Sequence, residues 1–265
     1  MANFAILNTK GGVGKTIVAT QVFPAYFKSV DPNYNINIYE LDNNNKSNLA
    51  NTRLNFKTLD LNKAEDALQE ADYNVDSINI IDVGGGDDAK KVMEYVGKND
   101  ILVDAYFIPT LNDYEQVHNI KQTINLIRKV DSTAPIYIVL NKVKSFDTES
   151  IKEQFLFIFG STKYGIDGAL EEFESDINGM LFMVDSNIYS ILKNIYNKSL
   201  SDVLDIAKDY IDNIREYKAK WRSELDVESY KKNMQFYSFL KDAKALADVN
   251  AKQLQQVEVF NNIGG

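Results

Sequence analysis

A glycine-rich run close to the N-terminus constrains the fold of this chain more than any other feature of its sequence. Residues 3–8 read Asn-Phe-Ala-Ile-Leu-Asn, residues 9–16 read Thr-Lys-Gly-Gly-Val-Gly-Lys-Thr, and residues 17–22 read Ile-Val-Ala-Thr-Gln-Val. An apolar strand, a glycine-rich turn and a helix in this order are what a phosphate-binding loop requires. Glycines let backbone N–H groups approach a phosphate closely, and the start of the helix adds its positive end. The sequence therefore predicts a phosphate site at this turn.

Two side chains at the end of the run complete the predicted site. Lys15 would neutralise the β- and γ-phosphates of a nucleotide, and the hydroxyl of Thr16 would bind Mg²⁺. Mg²⁺ keeps several waters and binds largely through nucleotide oxygens, so it needs few protein ligands. The residues of the run that we expect to contact nucleotide are Lys10, Gly11, Gly12, Val13, Gly14, Lys15, Thr16 and Ile17.

Apolar segments alternate with amphipathic ones along the chain, which is typical of strands alternating with helices in a mostly parallel sheet. The predicted strands are 3–8, 35–41, 77–83, 101–108, 136–141 and 180–184. The predicted helices are 15–29, 46–53, 63–71, 89–96, 113–130, 186–198 and 201–222. Pro24 should kink the first helix or end it early. The pattern predicts an α/β fold with a mostly parallel, twisted sheet flanked by helices.

The C-terminal part of the chain is predicted to be a helical extension, residues 223–265, that follows a domain of residues 1–222. Its apolar residues recur at helical spacing, so they share one face. Two interpretations stay open: the helix covers the core of its own chain, or it binds a partner. The residues on this face are Phe236, Leu240, Ala243, Ala247, Leu254 and Val257. The last stretch, residues 253–265, is polar and weakly acidic.

The composition excludes several kinds of chemistry. The chain has 265 residues, no cysteine and a single histidine, so thiolate catalysis and cysteine- or histidine-rich metal sites are excluded, and a metal must use oxygen ligands. The net charge is 29 − 38 = −9, which opposes non-specific attraction to nucleic acid or anionic membranes, although a local basic patch is compatible with it. No apolar run approaches the roughly 20 residues that span a bilayer. We expect a cytoplasmic protein without membrane insertion.

An aspartate ends a second apolar strand. Residues 78–86 read Ile-Asn-Ile-Ile-Asp-Val-Gly-Gly-Gly, which places Asp82 at the carboxyl edge of the predicted sheet, where it would hold Mg²⁺. The three following glycines would let the loop respond to the γ-phosphate. The alternative is an aspartate that only caps the next helix.

Acids also mark the end of the predicted strand 35–41, since residues 36–42 read Ile-Asn-Ile-Tyr-Glu-Leu-Asp and contain Glu40 and Asp42. A carboxylate here can position an attacking water by hydrogen bonding. The alternative for Asp42 is a solvated loop carboxylate without a catalytic role.

The glycine-rich run departs from the ordinary phosphate-loop pattern in an informative way. Thr9 stands where that pattern has its first glycine, and Lys10 adds a second lysine. The run resembles the deviant Walker A motif of the ParA/MinD family, which includes plasmid and chromosome partition ATPases and ATPases that position the division site. The resemblance implies a P-loop NTPase fold, ATP with Mg²⁺ as cofactors, and a nucleotide-sandwich dimer in which Lys10 reaches phosphates bound by the other subunit.

The same resemblance assigns three further roles. In the family motif Asp-x-Asp-Pro-Gln the second aspartate orients the attacking water and the first lies near the metal; Asp42 matches the second, and Glu40 replaces the first. Asn43 and Asn44 replace Pro-Gln. Residues 135–142 resemble the family strand that ends in Asn-Arg or Asn-Lys, so Asn141 is expected at the adenine edge. The implied catalytic residues are Lys10, Lys15 and Asp42, and the implied metal ligands are Thr16 and Asp82.

The function implied by the resemblance is that of an ATPase switch. ATP would hold a homodimer, and a centromere-binding adaptor would stimulate slow hydrolysis during plasmid or chromosome partition, with the protein in the cytoplasm or associated with the nucleoid. Non-specific DNA would bind to a group of basic residues. Acidic residues are interspersed among them, so the alternative is a helix face stabilised by salt bridges that does not bind DNA. These cations are Lys208, Arg215, Lys218, Lys220, Arg222, Lys231 and Lys232.

A second class of function uses the same switch without DNA. It includes positioning ATPases that recruit membrane cargo and conjugation or polar-localisation accessories that recruit protein cargo. A membrane-surface role would need a cationic, amphipathic end with bulky apolar residues, which the polar stretch 253–265 does not provide.

Overall fold

The computed structural model describes residues 2–42, 49–261 and 263. Its strands are β1 (Ala2–Ile6), β2 (Ile36–Leu41), β3 (Asn55–Leu59), β4 (Ile78–Val83), β5 (Ala105–Thr110), β6 (Ile136–Val143) and β7 (Gly179–Val184). They form one sheet in the order β3-β2-β4-β1-β5-β6-β7, and every neighbouring pair is parallel. The predicted fold class is confirmed.

Helices cover both faces of this sheet. They are α1 (Lys15–Ile17), α2 (Phe23–Val30), α3 (Ala64–Tyr73), α4 (Asp87–Lys98), α5 (Tyr114–Val130), α6 (Thr148–Gln154), α7 (Leu156–Phe159), α8 (Asn187–Ile191), α9 (Ser201–Asp212), α10 (Ile214–Glu224), α11 (Val227–Leu254) and α12 (Glu258–Asn261). None of the described helices is both long and apolar enough to cross a membrane.

Strand alternation separates two apolar layers. Phe4 and Ile6 of β1 pack in one layer, together with buried residues of α2, α9 and α11. Ala5 and Leu7 pack in the other layer, with buried residues of α3, α4 and α5. Successive side chains of a strand point to opposite faces, so a strand buried on both faces must be apolar almost throughout, as β1 is.

Of the two predicted effects of Pro24 on the first helix, early termination is wrong. The helical segment continues to Val30, because a π-turn, Val18–Val22, precedes Pro24 and places it in the first turn of α2. A proline is tolerated in that first turn, where its missing N–H costs little. The predicted single helix 201–222 is also divided, since α9 ends at Asp212 and α10 begins at Ile214.

Two further errors concern the segment between β2 and α3. Strand β3 was not predicted, and the exposure of its residues shows why: it is an edge strand with a short, half-polar sequence. The predicted helix 46–53 is wrong for residues 49–53, which form a turn, and residues 46–48 lie outside the described residues. The backbone N–H groups of Asn51 and Arg53 bond instead to Asn197 O and to the carboxylate of Asp202.

The start of β5 was also predicted too early, since this strand begins at Ala105 rather than at residue 101.

The long helix α11 covers the core of its own chain. Leu240, Ala243, Ala247 and Leu254 are buried against the layer that contains Phe4 and Ile6, as is Val257, and Phe236 is partly buried there. This supports the first of the two interpretations of the tail. The division at residues 222 and 223 stays a prediction.

The polar appearance of residues 253–265 hides a buried anchor. Phe260 in α12 is 5% exposed, and its ring centre lies 5.0 Å from Phe4, 5.3 Å from Phe23 and 5.0 Å from Phe27. Aromatic rings in such edge-to-face contacts contribute to core stability beyond the area that they bury.

Candidate functional site

The glycine-rich turn follows β1, whose neighbours are β4 and β5. The chain passes from β1 to the β2 side of the sheet and later returns past β1 to β5, so β1 lies at the point where the order of strands reverses. In open α/β sheets, ligands bind outside the carboxyl ends of the strands at such a point.

Backbone geometry opens the turn towards solvent. Gly12 and Gly14 have φ of 76° and 98°, the left-handed region that favours glycine. A Cβ added at Gly11 or Gly12 would meet no atom within 4 Å, so space for a ligand lies beside these two residues. A Cβ at Gly14 would instead lie 1.9 Å from the side-chain nitrogen of Asn141. The turn is thus open on one side and supported on the other.

Lys15 lies beneath this opening. Its side chain is buried, 7% exposed, and its ammonium donates to Lys10 O at 2.9 Å and to Asn8 O at 3.4 Å. Burial lowers its pKa, while the charges of Asp82 and Asp42 oppose that change. A buried ammonium held by backbone carbonyls and facing carboxylates is a fixed positive charge inside the loop.

Acidic and hydroxyl side chains form a row at the carboxyl edge of the sheet. The parallel register places Glu40 of β2 beside Asp82 of β4 on one side and beside Thr58 of β3 on the other. Thr58 Oγ1 donates to Glu40 Oε2 at 2.9 Å, and the hydroxyl of Thr16 is close enough to the Asp82 carboxyl to lower its pKa. The row therefore extends from β3 to the start of the P-loop helix.

Asp82 is the most perturbed carboxyl of this row. Burial raises its pKa to about 7, the hydrogen bond from Thr16 opposes the rise, and the negative charge of Glu40 adds to it. Its Oδ2 is buried without a hydrogen-bond partner among the described residues. An unpaired carboxylate oxygen next to a threonine hydroxyl fits Mg²⁺, which prefers hard oxygen ligands. The described residues contain no cluster of three acidic or histidine side chains that could hold an ion, so an ion here would complete its shell from nucleotide and water.

The loop after β4 packs directly on the glycine-rich turn. Gly86 N donates to Thr9 O at 2.7 Å, and a Cβ added at Gly85 would lie 2.9 Å from Gly11 N. Beneath this loop, Asp88 is 7% exposed, and a Cβ at Gly84 would lie 2.5 Å from its Oδ2. Gly85 thus allows two backbones to approach closely, which places the end of β4 against the phosphate turn.

Asn141 supports the turn from the other side. Its Nδ2 donates to Val13 O at 2.9 Å, and its Oδ1 accepts from Lys142 N at 2.8 Å. The side-chain amide is therefore engaged with the backbone of the turn. Nδ2 and Oδ1 each keep the capacity for a second hydrogen bond, and the adenine contact stays a prediction.

The side chain of Lys10, unlike its backbone, lies apart from the residues described so far. Its side chain is 48% exposed, and its ammonium lies 3.4 Å from Glu115 Oε2 at the start of α5. It borders a cleft of about 760 Å³ that Tyr114, His118 and Phe157 also line. The second lysine of the motif therefore points away from the pocket that holds Lys15.

Asp42 directly follows β2, is partly buried, and is close enough to affect the pKa values of Lys15 and Asp82. Asn43 and Asn44, which replace Pro-Gln of the family motif, lie outside the described residues. The structure thus brings Lys15, Thr16, Asp82 and Asp42 together, with Glu40 beside them.

Sequence reasoning did not identify several residues of the site. Asn8 fixes the start of the turn, since its side chain donates to Pro109 O and accepts from Lys10 N. Asp88 and Thr58 were missed as well. A buried polar residue at the end of an apolar strand was the available signal for Asn8, whereas Thr58 had none, because β3 itself was not predicted.

Comparison with known proteins agrees with this geometry. A family model described as the CobQ/CobB/MinD/ParA nucleotide binding domain matches residues 4–159, which include the glycine-rich turn, both strands that end in acids, and Asn141. No curated protein matches the chain.

Two solved structures from Borrelia burgdorferi resemble the chain weakly. One, from strain B31 and described as a putative plasmid partition protein bound to AMPPNP, is 14% identical and covers 74% of this chain and 90% of its own, with a TM-score of 0.47. The other, a plasmid partition protein, is also 14% identical and covers 74% of this chain and 95% of its own, with a TM-score of 0.43.

Proposed function

The chain belongs to the CobQ/CobB/MinD/ParA nucleotide-binding family, and we propose that it is an ATPase whose MgATP-bound form is a homodimer. The main support is the arrangement around the open turn. Lys15 is buried beneath it, and Thr16 is close enough to Asp82 to lower the pKa of that carboxyl. A fixed ammonium and an oxygen-rich edge are the two features that a triphosphate with Mg²⁺ needs.

Binding and hydrolysis are assigned to different side chains. Lys15 and the backbone N–H groups of residues 11–16 bind the phosphates, and Asn141 is assigned to the base. Thr16 and Asp82 hold Mg²⁺, which would neutralise developing charge on the phosphates. Asp42 orients the attacking water through a hydrogen bond. Charge stabilisation and positioning account for most catalysis of phosphoryl transfer, so slow turnover is expected until a partner completes the site.

Dimerisation is assigned to Lys10. An ATP-operated dimer needs a contact that exists only while the terminal phosphate is present. The ammonium of Lys10 is half exposed on the outer side of the turn, with Glu115 as its neighbour, so it is accessible to the triphosphate of a second subunit. The resulting switch couples association to nucleotide state.

The cellular role we propose is plasmid or chromosome partition with a centromere-binding adaptor that stimulates hydrolysis. A cleft between α2, α9 and α11 is lined by basic side chains that could attract DNA phosphates, and acidic side chains line the same cleft. The basic residues are Lys28, Arg53, Lys208 and Lys244. Of these, only Lys208 belongs to the cations predicted from the sequence, and Lys232 of that group pairs with Glu228 on its own helix.

A second candidate is an accessory switch that recruits protein cargo without DNA. The net charge of −9 favours it, since DNA affinity depends mainly on cationic surface. ATP-dependent dimerisation that is normal in the absence of any DNA binding would distinguish it from the first candidate.

One sizing experiment tests both proposals. The protein is measured by light scattering with ADP and with AMPPNP, each with Mg²⁺ and with or without non-specific DNA at two salt concentrations. We expect a dimer only with AMPPNP, and DNA binding that weakens as salt rises. Lys10→Ala should retain nucleotide binding and lose the dimer, whereas Lys90→Ala, an exposed lysine of α4, should behave as wild type. A Lys10→Ala protein that still dimerises with AMPPNP would refute the shared-site assignment.

A further inference from the structure

Thr58 occupies an unexpected position next to the acids of the site. It lies on the edge strand β3, directly opposite Glu40 in the parallel register, and Glu40 is directly opposite Asp82 on the next strand. Side chains at matching register positions of neighbouring parallel strands point to the same face. Thr58, Glu40 and Asp82 therefore form one lateral row, and Thr16 lies near its Asp82 end.

Glu40 is the member of this row that needs to be held in place. It is 1% exposed, so its carboxylate is almost fully removed from water. A glutamate has one more rotatable bond than the aspartate that its family motif uses, and a longer side chain loses more conformational freedom when it is fixed. The 2.9 Å hydrogen bond from Thr58 Oγ1 to Glu40 Oε2 supplies a fixed, charge-assisted contact.

Because Glu40 lies directly opposite Asp82 on the next strand, the hydrogen bond from Thr58 to Glu40 can affect the site around Asp82. Oδ2 of Asp82 is buried without a hydrogen-bond partner among the described residues, and the hydroxyl of Thr16 is near the same carboxyl. Residues that orient metal ligands or the waters of a metal are hydrogen-bonded in turn, and removal of such a partner lowers metal affinity or activity by about 10- to 100-fold. A carboxylate next to Asp82 can accept hydrogen bonds from waters of a bound Mg²⁺.

We propose that Thr58 is a positioning residue that fixes the Glu40 carboxylate beside Asp82 and thereby sets the affinity of the nucleotide site for Mg²⁺. This inference rests on the proposed MgATP site. It makes the edge strand β3 part of the metal site, although Thr58 itself touches neither nucleotide nor metal.

The competing hypothesis is that the bond only joins two strands. An exchange of the hydroxyl for a methyl group distinguishes the two, since Thr58→Val keeps the volume and the β-branched shape that favour a strand but removes the donor. Thr58→Ser is the matched control, because it keeps the donor and loses a methyl group. Thermal unfolding of both variants reports whether β3 is still in place.

The test measures nucleotide binding by fluorescence of a labelled ATP analogue while Mg²⁺ is varied, and again in EDTA. We expect Thr58→Val to need about tenfold more Mg²⁺ for half-maximal binding. Its affinity in EDTA should match wild type, and Thr58→Ser should restore the wild-type Mg²⁺ dependence. In a Glu40→Ala background, Thr58→Val should add no further change, since interacting residues are not additive.

Three outcomes would overturn the proposal: an unchanged Mg²⁺ dependence in Thr58→Val, an equal loss in Thr58→Ser, or a loss that persists in the Glu40→Ala background. Failure of the proposed function is recognised separately, because the wild-type protein would then bind nucleotide with no Mg²⁺ dependence or not at all. That result would refute both proposals.

Discussion

The inner and outer sides of the glycine-rich turn are built differently. On the inner side, Lys15 and Asp82 are 7% and 2% exposed, and the backbone of Gly85 touches that of Gly11. On the outer side, Lys10 and Glu115 have side chains that are 48% and 70% exposed, and a single 3.4 Å contact joins them.

The difference indicates which contacts a partner can change. Buried charges and close-packed backbones keep their geometry, because breaking them leaves groups without compensation. Exposed ion pairs are weak, with typical contributions of about 0–1 kcal/mol. The inner side is therefore suited to recognise nucleotide within one subunit, and the outer side is suited to exchange its contact for one with a second subunit.

The largest effect is expected for Lys15→Ala. Removal of a buried, hydrogen-bonded charge typically costs about 2–5 kcal/mol, so nucleotide affinity should fall by about 30-fold or more. Isothermal titration with AMPPNP and Mg²⁺ measures it. The same substitution at Lys10 is the matched control and should change the affinity of the isolated subunit little. Equal losses for the two lysines would remove the contrast between the two sides.

Asp82 gives the inner side a dependence on pH. Its pKa is about 7 in the folded protein and 3.8 for an aspartate in a solvated, unfolded chain, so between these values the folded state binds more protons than the unfolded state. Without Mg²⁺ and nucleotide, the free energy of unfolding should therefore fall as pH rises from about 4 to above 7. At roughly 1.4 kcal/mol per unit of pKa, the fall contributed by Asp82 is at most about 4 kcal/mol.

Urea unfolding in EDTA at pH 5 and pH 8 measures this effect. Asp82→Asn should lose most of the difference between the two pH values, and the exposed Asp212→Asn should keep it. Added Mg²⁺ should reduce the difference in the wild-type protein, because bound cation stabilises the ionised carboxylate. A wild-type protein that is equally stable at both pH values would show that Asp82 is not held in a desolvated site.

The inner side was largely predictable from the sequence, and the reason is that its elements are local. The turn lies within eight consecutive residues, 9–16, and packing alone gives no reason for glycine, lysine and threonine in that register. Asp82 followed from one apolar strand and its end. To expect the turn and Asp82 at one site needed only the rule that parallel strands bring their carboxyl ends to one edge.

The contacts of the outer side and of β3 were not predictable, because they join distant residues. Lys10 and Glu115 are 105 positions apart, and Thr58 meets Glu40 only through the pairing of an edge strand with a weak sequence signal. Phe260 was missed for a similar reason, since one aromatic residue in a polar tail has no periodic pattern to mark it.

Gly85→Ala tests the contact of the two backbones on the inner side. Its Cβ would lie 2.9 Å from Gly11 N and 3.2 Å from Lys10 C, and backbone atoms cannot move away as a flexible side chain can. Overpacking of this kind costs about 1–3 kcal/mol, so we expect lower thermal stability and weaker AMPPNP binding. Gly179→Ala is the control, because its Cβ would lie 3.7 Å from Tyr137, an ordinary contact. Unchanged nucleotide affinity in Gly85→Ala would mean that the loop after β4 does not shape the turn.

The smallest effect is expected for Glu115→Gln on the outer side. The substitution removes the negative charge next to Lys10 and keeps the shape of the side chain, so the ammonium becomes easier to transfer to a second subunit. Since exposed pairs contribute about 1 kcal/mol or less, the AMPPNP-bound dimer should form at a protein concentration up to about fivefold lower. Sedimentation at several protein concentrations measures the shift. Glu172→Gln, which breaks the pair with Lys121 across the same cleft, should leave it unchanged. A weaker dimer in Glu115→Gln would instead mean that Glu115 supports association directly. The pair of Lys10 and Glu115 would then not be a contact that breaks when the dimer forms.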